Sequence, residues 1–193
     1  PGQLTSALRA ARSLHEGSIL NSRITEQFDT TVSHLRFLEV GYSTNATPDL
    51  PNGLVLKWPA EHSPAPGRGD PERLFYQELA PALSSPPMVR CFAAAPPDNN
   101  PQWLILEDLR STHSTPPWPE RPSDKHVYDA VAILAQLHAR WWEASTLGST
   151  VGSLNTEASL TTMVSGIAAN LPGFIKDLGN DLPVADRLVL ETV

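Results

Sequence analysis

The chain has 193 residues and a formal net charge of −7 at neutral pH, and this length allows one medium domain or two small lobes with a hydrophobic core. Its few Lys and Arg residues are scattered, which argues against the clustered positive surface that binds nucleic acid. No uninterrupted apolar run approaches the ~20 residues that span a bilayer, and a single cysteine, Cys91, cannot form an internal disulfide. We therefore expect a cytoplasmic protein that binds neither nucleic acid nor membrane.

The first part of the chain predicts an α+β lobe of five antiparallel strands with one inserted helix. Thr5 or Ser6 is expected to cap the first helix, and a slip in the apolar alternation between Phe37 and Leu38 predicts a β-bulge there. The predicted elements are a helix over residues 4–14, strands over 18–28, 31–42 and 54–58, a helix from Asp70 to about Ser84, and strands over 88–94 and 102–108.

Beyond this lobe the sequence predicts only helices. Ser123 is expected to cap a long helix that extends to about residue 144, and apolar residues at spacings of three and four predict that this helix is packed. The remainder is predicted to be helical and amphipathic, with breaks at Pro172-Gly173 and at residues 180–183. The resulting organisation is a first lobe with its leading helix at residues 1–109, a proline-rich linker at 110–122, and an incomplete helical lobe at 123–193.

Lys57 is the best candidate for binding an anion. It ends a short apolar strand, where an unpaired charge is costly. Glu72 shares a helical face with Phe75, Tyr76 and Leu79 and is therefore predicted to point toward the sheet. Such a lysine can bind the oxygens of nucleotide phosphates, while the carboxylate keeps the lysine charged and oriented.

Each of these residues has a simpler interpretation. The Lys57 side chain could extend past the strand end into solvent, and Glu72 could serve only as a first-turn acid favoured by the helix dipole. Glu78 is the rival carboxylate, on a neighbouring helical face. His138 lies on an apolar helical stripe, where a packed histidine is the safer interpretation.

The last strand of the first lobe ends at Glu107-Asp108-Leu109. Backbone carbonyl and amide groups at such a strand end can pair with the edge of a purine, which requires no particular side chain. The alternative is an ordinary strand end with solvated acids. The sequence contains no zinc-type spacing of Cys and His and no Walker glycine loop.

Several segments, taken in order over residues 4–145, resemble one enzyme family. They are Leu54-Val55-Leu56-Lys57, Glu72 with Phe75-Tyr76-Gln77-Glu78-Leu79-Ala80-Pro81, Leu104-Ile105-Leu106-Glu107-Asp108-Leu109, Trp118-Pro119, and Leu134-Ala135-Gln136-Leu137-His138-Ala139-Arg140-Trp141-Trp142. In order and spacing this set is similar to the aminoglycoside-phosphotransferase-like small-molecule kinases, including their choline-kinase and ecdysteroid-kinase-like relatives.

The resemblance implies a protein-kinase-like fold with ATP and Mg2+ as cofactors and a small-molecule hydroxyl as the phosphoryl acceptor. It implies that Lys57 binds the α and β phosphates, that Glu72 pairs with Lys57, and that the Glu107 carbonyl and the Leu109 amide contact adenine. The bend at Asp29-Thr30-Thr31 stands where the family places its phosphate-covering loop, although it lacks glycine.

The sequence departs from the family at its carboxy-terminal end. The family's His-Gly-Asp run, with an Asn five residues after the Asp, and its later magnesium-binding Asp have no counterpart here, so we assign no catalytic or metal-binding residue. We expect the amino-terminal portion of an ATP-dependent phosphotransferase, inactive as it stands. The alternative is a non-catalytic nucleotide-binding or interaction module with a degenerate kinase fold. The acceptor and the oligomeric state stay open.

Overall fold

The computed structural model describes residues 1–60, 69–82, 88–114, 120–145, 148–149, 156–179 and 183–191. The chain divides into two units, Pro1–Gly152 and Ser153–Val193, which are described separately. The sequence-predicted helix end at Ser84, the Trp118-Pro119 segment and the break at residues 180–182 lie outside the described residues.

Five strands and a leading helix build the first unit. The strands are β1 (Ile19–Asp29), β2 (Ser33–Tyr42), β3 (Gly53–Pro59), β4 (Cys91–Ala94) and β5 (Leu104–Glu107). The helices of this unit are α1 (Gly2–Ala10), α2 (Gly69–Leu74), which continues as a π-helical turn (Phe75–Leu79) and a 3-10 turn (Ala80–Ala82), and α3 (Asp124–Trp141). The second unit contains α4 (Glu157–Leu178) and α5 (Val184–Glu191).

The strands form one antiparallel sheet in the order β1-β2-β3-β5-β4. The α+β class, the five antiparallel strands and the helix inserted after β3 are therefore confirmed. The predicted fourth strand was too long at its start, because β4 begins only at Cys91. Strand β3 lies in the middle of the sheet, hydrogen-bonded to β2 on one side and to β5 on the other.

Other elements pack on both faces of the sheet, and the middle of the central strand β3, from Leu54 to Leu56, is apolar. On one face, α1 packs against residues such as Leu38, Leu54 and Ile105. The other face, here called the lysine face, carries Lys57, since Lys57 and Val55 are two residues apart and side chains alternate along a strand. Its buried residues pack against the inserted helix through Tyr76, and they are Val55, Leu104 and Leu106, with the half-buried Leu35 and Phe37 beside them.

A β-bulge lies where the alternation slips, but in the neighbouring strand. The register between β1 and β2 shifts between Ile24 and Glu26, opposite Leu38 and Phe37. The unpaired residue is Thr25, whose hydroxyl donates to the Phe37 carbonyl at 3.2 Å. The two adjacent apolar residues in β2 reflect burial on both faces of the sheet, and the extra residue is accommodated by the exposed edge strand.

The predicted cap of the first helix was wrong. Thr5 lies inside α1 and is buried, and its hydroxyl accepts a hydrogen bond from the Ile19 amide at 3.0 Å. This contact ties α1 to the start of β1. The helix also ends earlier than predicted, at Ala10, because Arg12 adopts a positive φ of 58° that a right-handed helix cannot contain.

Helix α3 is capped as predicted but not packed as predicted. The Ser123 hydroxyl accepts from the His126 amide at 3.3 Å. However, none of the residues of α3 is buried, and Val131 and Leu134 on its apolar stripe are 57% and 52% exposed. His138 is exposed as well. Periodicity shows which side of a helix prefers burial, and it does not show that a partner is present.

Helix α4 corrects one sequence-based expectation. It runs through Pro172, where a break was expected, and it ends at Leu178. A proline in a helix interior removes one hydrogen bond and weakens the helix without necessarily ending it. The helix also has the length and composition of a membrane-crossing helix, with a mean hydropathy of 1.2, because interspersed Ser, Thr and Gly residues interrupt an apolar run but lower the average only slightly. A core helix of a soluble protein satisfies the same test.

Candidate functional site

Lys57 and Glu72 form an ion pair between the central strand and the inserted helix. The Lys57 Nζ atom lies 2.7 Å from Glu72 Oε1. The two side chains are 25% and 34% exposed, so the pair is half-buried and one side of it is open to solvent. The geometry expected from the sequence is therefore present, with an amine that can reach a ligand while its carboxylate partner holds it in place.

The fold fixes both partners through their neighbours. In the sheet, Lys57 lies between Leu35 of β2 and Leu104 of β5. On the inserted helix, Tyr76 lies one turn after Glu72 and packs against the buried residues of the lysine face. Glu78, the rival carboxylate, is solvent-exposed. Glu72 is thus the carboxylate at the lysine.

A small cavity opens at this ion pair. Its volume is about 170 Å³, below the roughly 300–1,000 Å³ of sites that enclose a whole small molecule. Besides Lys57 and Glu72, its walls include Val32 and Ser33 from the β1–β2 hairpin and Gln102 from the segment before β5. The cavity has room for phosphate groups at the lysine, and a larger ligand would have to extend along the sheet.

The turn between β1 and β2 reaches the cavity through Val32 and Ser33, directly after the bend at Asp29-Thr30-Thr31. It is held by the Thr30 hydroxyl, which accepts from the Ser33 amide at 2.9 Å and from the Val32 amide at 3.2 Å. A glycine-rich loop directs such amides at phosphate oxygens. Here two of them are satisfied within the turn, so the hairpin can cover a phosphate but does not offer these two donors to it.

Gln102 is a cavity residue that sequence reasoning missed. Its amide nitrogen donates to the carbonyls of Asn99, at 2.6 Å, and Pro97, at 3.0 Å. Because both partners are acceptors, the orientation of the amide is fixed and its oxygen faces away from them. Among the described residues that oxygen has no hydrogen-bond partner, although it is buried. No sequence signal distinguishes Gln102 from an ordinary residue before a strand.

The strand end predicted to contact adenine has a defined hydrogen-bonding pattern. The Glu107 amide donates to the Arg90 carbonyl at 2.9 Å, and the Leu109 carbonyl accepts from the amides of Thr112 and His113 at 3.0 and 2.8 Å. The Leu109 amide, one of the two predicted adenine contacts, makes no hydrogen bond to the described part of the chain.

Arg110, which follows this strand end, covers part of the lysine face. Its guanidinium carbon lies 3.8 Å from the centroid of the Phe37 ring. The side chain forms a bidentate pair with Asp108, through Nε at 3.0 Å and a terminal nitrogen at 2.7 Å, and it also contacts Glu26 and the Thr25 hydroxyl of β1. Hydrogen bonds from Arg110 hold the pKa of Asp108 below its usual value. The sequence-based interpretation of solvated acids did not include this arginine.

Two weak acids near the ion pair stay protonated at neutral pH. Burial is the main reason that the pKa of Tyr76 rises to about 12, and the Cys91 thiolate that forms at high pH and the Glu72 carboxylate raise it further. Burial is also the main reason that the pKa of Cys91 rises to about 11, and its thiol donates to the Ala93 carbonyl at 3.3 Å. A thiol with this pKa is a structural group, not a nucleophile.

The chain was compared with protein-family models, with curated proteins and with solved structures, and none of them matches it. Within the described residues, no three His, Cys, Asp or Glu side chains lie together as metal ligands. The chemistry of the site therefore follows from Lys57, Glu72 and their surroundings.

Proposed function

We propose that this chain carries the nucleotide-binding lobe of an ATP-dependent phosphotransferase that acts on a small-molecule hydroxyl. The observation that carries the proposal is the 2.7 Å ion pair between Lys57 on the central strand and Glu72 on the inserted helix. In protein kinases a lysine on the third strand pairs with a glutamate on the helix that follows, and both must be in place for phosphoryl transfer.

The connectivity supports the same conclusion. The lysine lies on the third of five antiparallel strands, and the helix that carries the carboxylate lies between the third and fourth strands. The hairpin between the first two strands borders the cavity at the lysine. A strand lysine, a helix carboxylate and a covering hairpin are the three parts with which such a lobe holds phosphates.

The residues present fit the phosphates of ATP better than they fit its metal. Lys57 supplies a positive donor, and its ion pair with Glu72 orients that donor. The Glu107 carbonyl and the Leu109 amide are proposed to bind the base. Mg2+ would neutralise the phosphate charge in such an enzyme, but we assign it no ligand here. The chain alone is therefore proposed to bind ATP without transferring its phosphoryl group.

The second candidate is a non-catalytic nucleotide-binding or interaction module. The exposed apolar stripe of α3, with Val127 at 46% and Val131 at 57% exposure, favours a partner surface. If the second candidate is a nucleotide-binding module, both candidates bind nucleotide at Lys57. They differ in whether phosphoryl transfer accompanies nucleotide binding.

Labelling of lysine with an acyl-phosphate derivative of ATP tests the proposal. Such a reagent transfers its acyl group to an amine that lies beside the bound phosphates. The chain has three lysines, Lys57, Lys125 and Lys176, so peptide mass spectrometry can assign every product. We expect acylation of Lys57 that excess ATP suppresses.

Lys125 is the matched internal control. It also forms an ion pair, with Asp129 at 2.5 Å, but it is 81% exposed on α3. It should react slowly and independently of ATP. If Lys57 reacts no faster than Lys125, or if ATP does not protect it, the proposed function is wrong.

A further inference from the structure

Three apolar side chains lie next to one another across the lysine face. Phe37 of β2 is opposite Val55 of β3, and Val55 is opposite Leu106 of β5. This row, here called the apolar row, is two residues from Lys57 along β3, a separation of roughly 7 Å. The row lies directly beside the phosphate-binding lysine. Val55 and Leu106 are buried, whereas Phe37 is half-buried, so Phe37 is the member of the row on which a nucleotide base could stack.

The Phe37 end of the apolar row is not open. The Arg110 guanidinium lies over the ring at 3.8 Å, which is van der Waals contact and leaves no space for a base between the two groups. A base that stacks on Phe37 must therefore occupy the volume that the guanidinium now fills. The two groups compete for one surface.

The Arg110 side chain makes polar contacts on both sides of Phe37. Asp108 binds it from the end of β5, and Glu26 with the Thr25 hydroxyl binds it from β1. The Asp108 side chain is only 11% exposed, whereas Glu26 is 56% exposed. An exposed ion pair contributes little to stability, so the contact with Glu26 is the one that can open at small cost while Asp108 keeps the arginine nearby.

We propose that Arg110 is a displaceable cover that must leave Phe37 before a nucleotide base can bind, so that it lowers the affinity of the site for ATP. The proposal rests on the proposed function, because it concerns the same nucleotide site. The apparent affinity of a site that is open only part of the time falls in proportion to the open fraction. Arg110 thus sets how readily the lobe binds nucleotide.

The direction in which removal of Arg110 changes the affinity for ATP distinguishes a cover from a simple electrostatic effect. Removing a positive charge near a tetra-anionic ligand should weaken binding. Removing a cover should strengthen it. We expect Arg110→Ala to bind ATP about three- to tenfold more tightly than the unmodified chain, a range set by how seldom the cover is open.

Inorganic tripolyphosphate shows whether the base is involved. It can bind at Lys57 but has no base to place on Phe37. Its affinity should be unchanged or lower in Arg110→Ala, while the affinity for ATP rises. An equal gain for both ligands would overturn the proposal, because the arginine would then act on the phosphates.

Two further variants control for stability and for the mechanism of opening. Arg23→Ala removes another arginine–glutamate contact, between Arg23 of β1 and Glu39 of β2, and should leave ATP affinity unchanged. Glu26→Gln loosens the cover without altering Arg110. It should raise the affinity for ATP by a smaller factor, and by more than the affinity for tripolyphosphate, which responds only to the lost negative charge. Thermal melting of each variant identifies a loss of folding.

Titration calorimetry of the 193-residue chain with ATP measures these effects, with Lys57→Ala as the reference for the site. Tighter binding in Arg110→Ala and, less so, in Glu26→Gln supports the cover. Binding that requires Lys57 but is unchanged or weaker in both variants overturns the cover and leaves the proposed function intact. Absence of Lys57-dependent ATP binding in every variant overturns both proposals.

Discussion

Tyr76 lies one helical turn after Glu72, and its packing against the lysine face is what directs the Glu72 carboxylate at Lys57. The aromatic ring is half-buried, and the helix surface on which it packs also carries the carboxylate, since residues four apart share a helix face. The ion pair therefore depends on a hydrophobic contact that has no charge of its own.

Tyr76→Ala should separate Lys57 from Glu72, whereas Tyr76→Phe should not. The alanine variant is expected to lose about 2 kcal/mol of folding stability, below the ~3–5 kcal/mol of fully buried aromatic residues, and to lose ATP-protected acylation of Lys57. Denaturant unfolding and the lysine-labelling experiment measure the two effects. Retention of protected labelling in Tyr76→Ala would show that Glu72 is held by other contacts.

Replacement of Lys57 by alanine should weaken ATP binding by about 10- to 100-fold. This range corresponds to the ~1.5–3 kcal/mol of a hydrogen bond to a charged group. Lys125→Ala is the control, because it removes an equally charged residue from an exposed pair on α3. Fluorescence titration with a labelled ATP analogue measures both affinities. Equal losses in the two variants would indicate only a nonspecific effect of charge.

Folding stability should decrease as the pH rises from about 9 to 11, and Cys91 should account for part of the decrease. Burial raises the pKa of this thiol from 9.0 to about 11 in the folded chain. In this window the unfolded chain has lost the proton and the folded chain keeps it, so rising pH favours unfolding. Thermal melting across the window, compared between the unmodified chain and Cys91→Ala, measures the contribution. An identical pH slope in both would contradict the prediction.

Pro172→Ala should increase the helicity and the thermal stability of the second unit. Proline in a helix interior costs about 3 kcal/mol relative to alanine, and α4 continues on both sides of this residue. Pro183→Ala, directly before α5, is the control and should have a small effect because its residue lies outside the helix. Circular dichroism at the helical band compares the variants. A loss of helicity in Pro172→Ala would mean that the proline is needed for the course of α4.

The exposed stripe of α3 should cause the chain to self-associate. The double variant Val131→Lys with Leu134→Gln replaces two apolar residues that are 57% and 52% exposed, and it should shift the chain toward monomer without loss of folding. Gln136→Lys on the same helix adds charge at an exposed polar position and should leave association unchanged. Sedimentation velocity measures the association state of each variant. A monomeric unmodified chain would show that the stripe does not associate.

Local sequence patterns predicted the features of this fold that depend on residues close together in the chain. Strand alternation located the sheet, and the position of Glu72 on an inward helical face predicted its contact with Lys57. The sequence could not predict Thr5 as a link to Ile19, because that bond joins two elements through their tertiary arrangement. Arg110 was missed for the same reason, since its contacts with Phe37 and Glu26 connect residues far apart in the chain.

The predicted packing of α3 failed for a different reason. Its apolar periodicity describes a preference of the helix, and burial also requires another surface to cover it. Likewise, we expected a break at Pro172 because a proline inside a helix costs free energy locally. The neighbouring residues of α4 nevertheless continue the helix on both sides of it.

The π-helical turn at Phe75–Leu79 has a consequence for the ion pair. A π turn holds one residue more than an α-helical turn and is less stable. If the inserted helix relaxed to a regular α-helix while Leu79 stayed in the core, its upstream part would rotate by about 100°, the angle of one residue. Glu72 would then face away from Lys57. A one-residue change in helical register would thus be enough to dismantle the phosphate site, with no unfolding and no movement of the sheet.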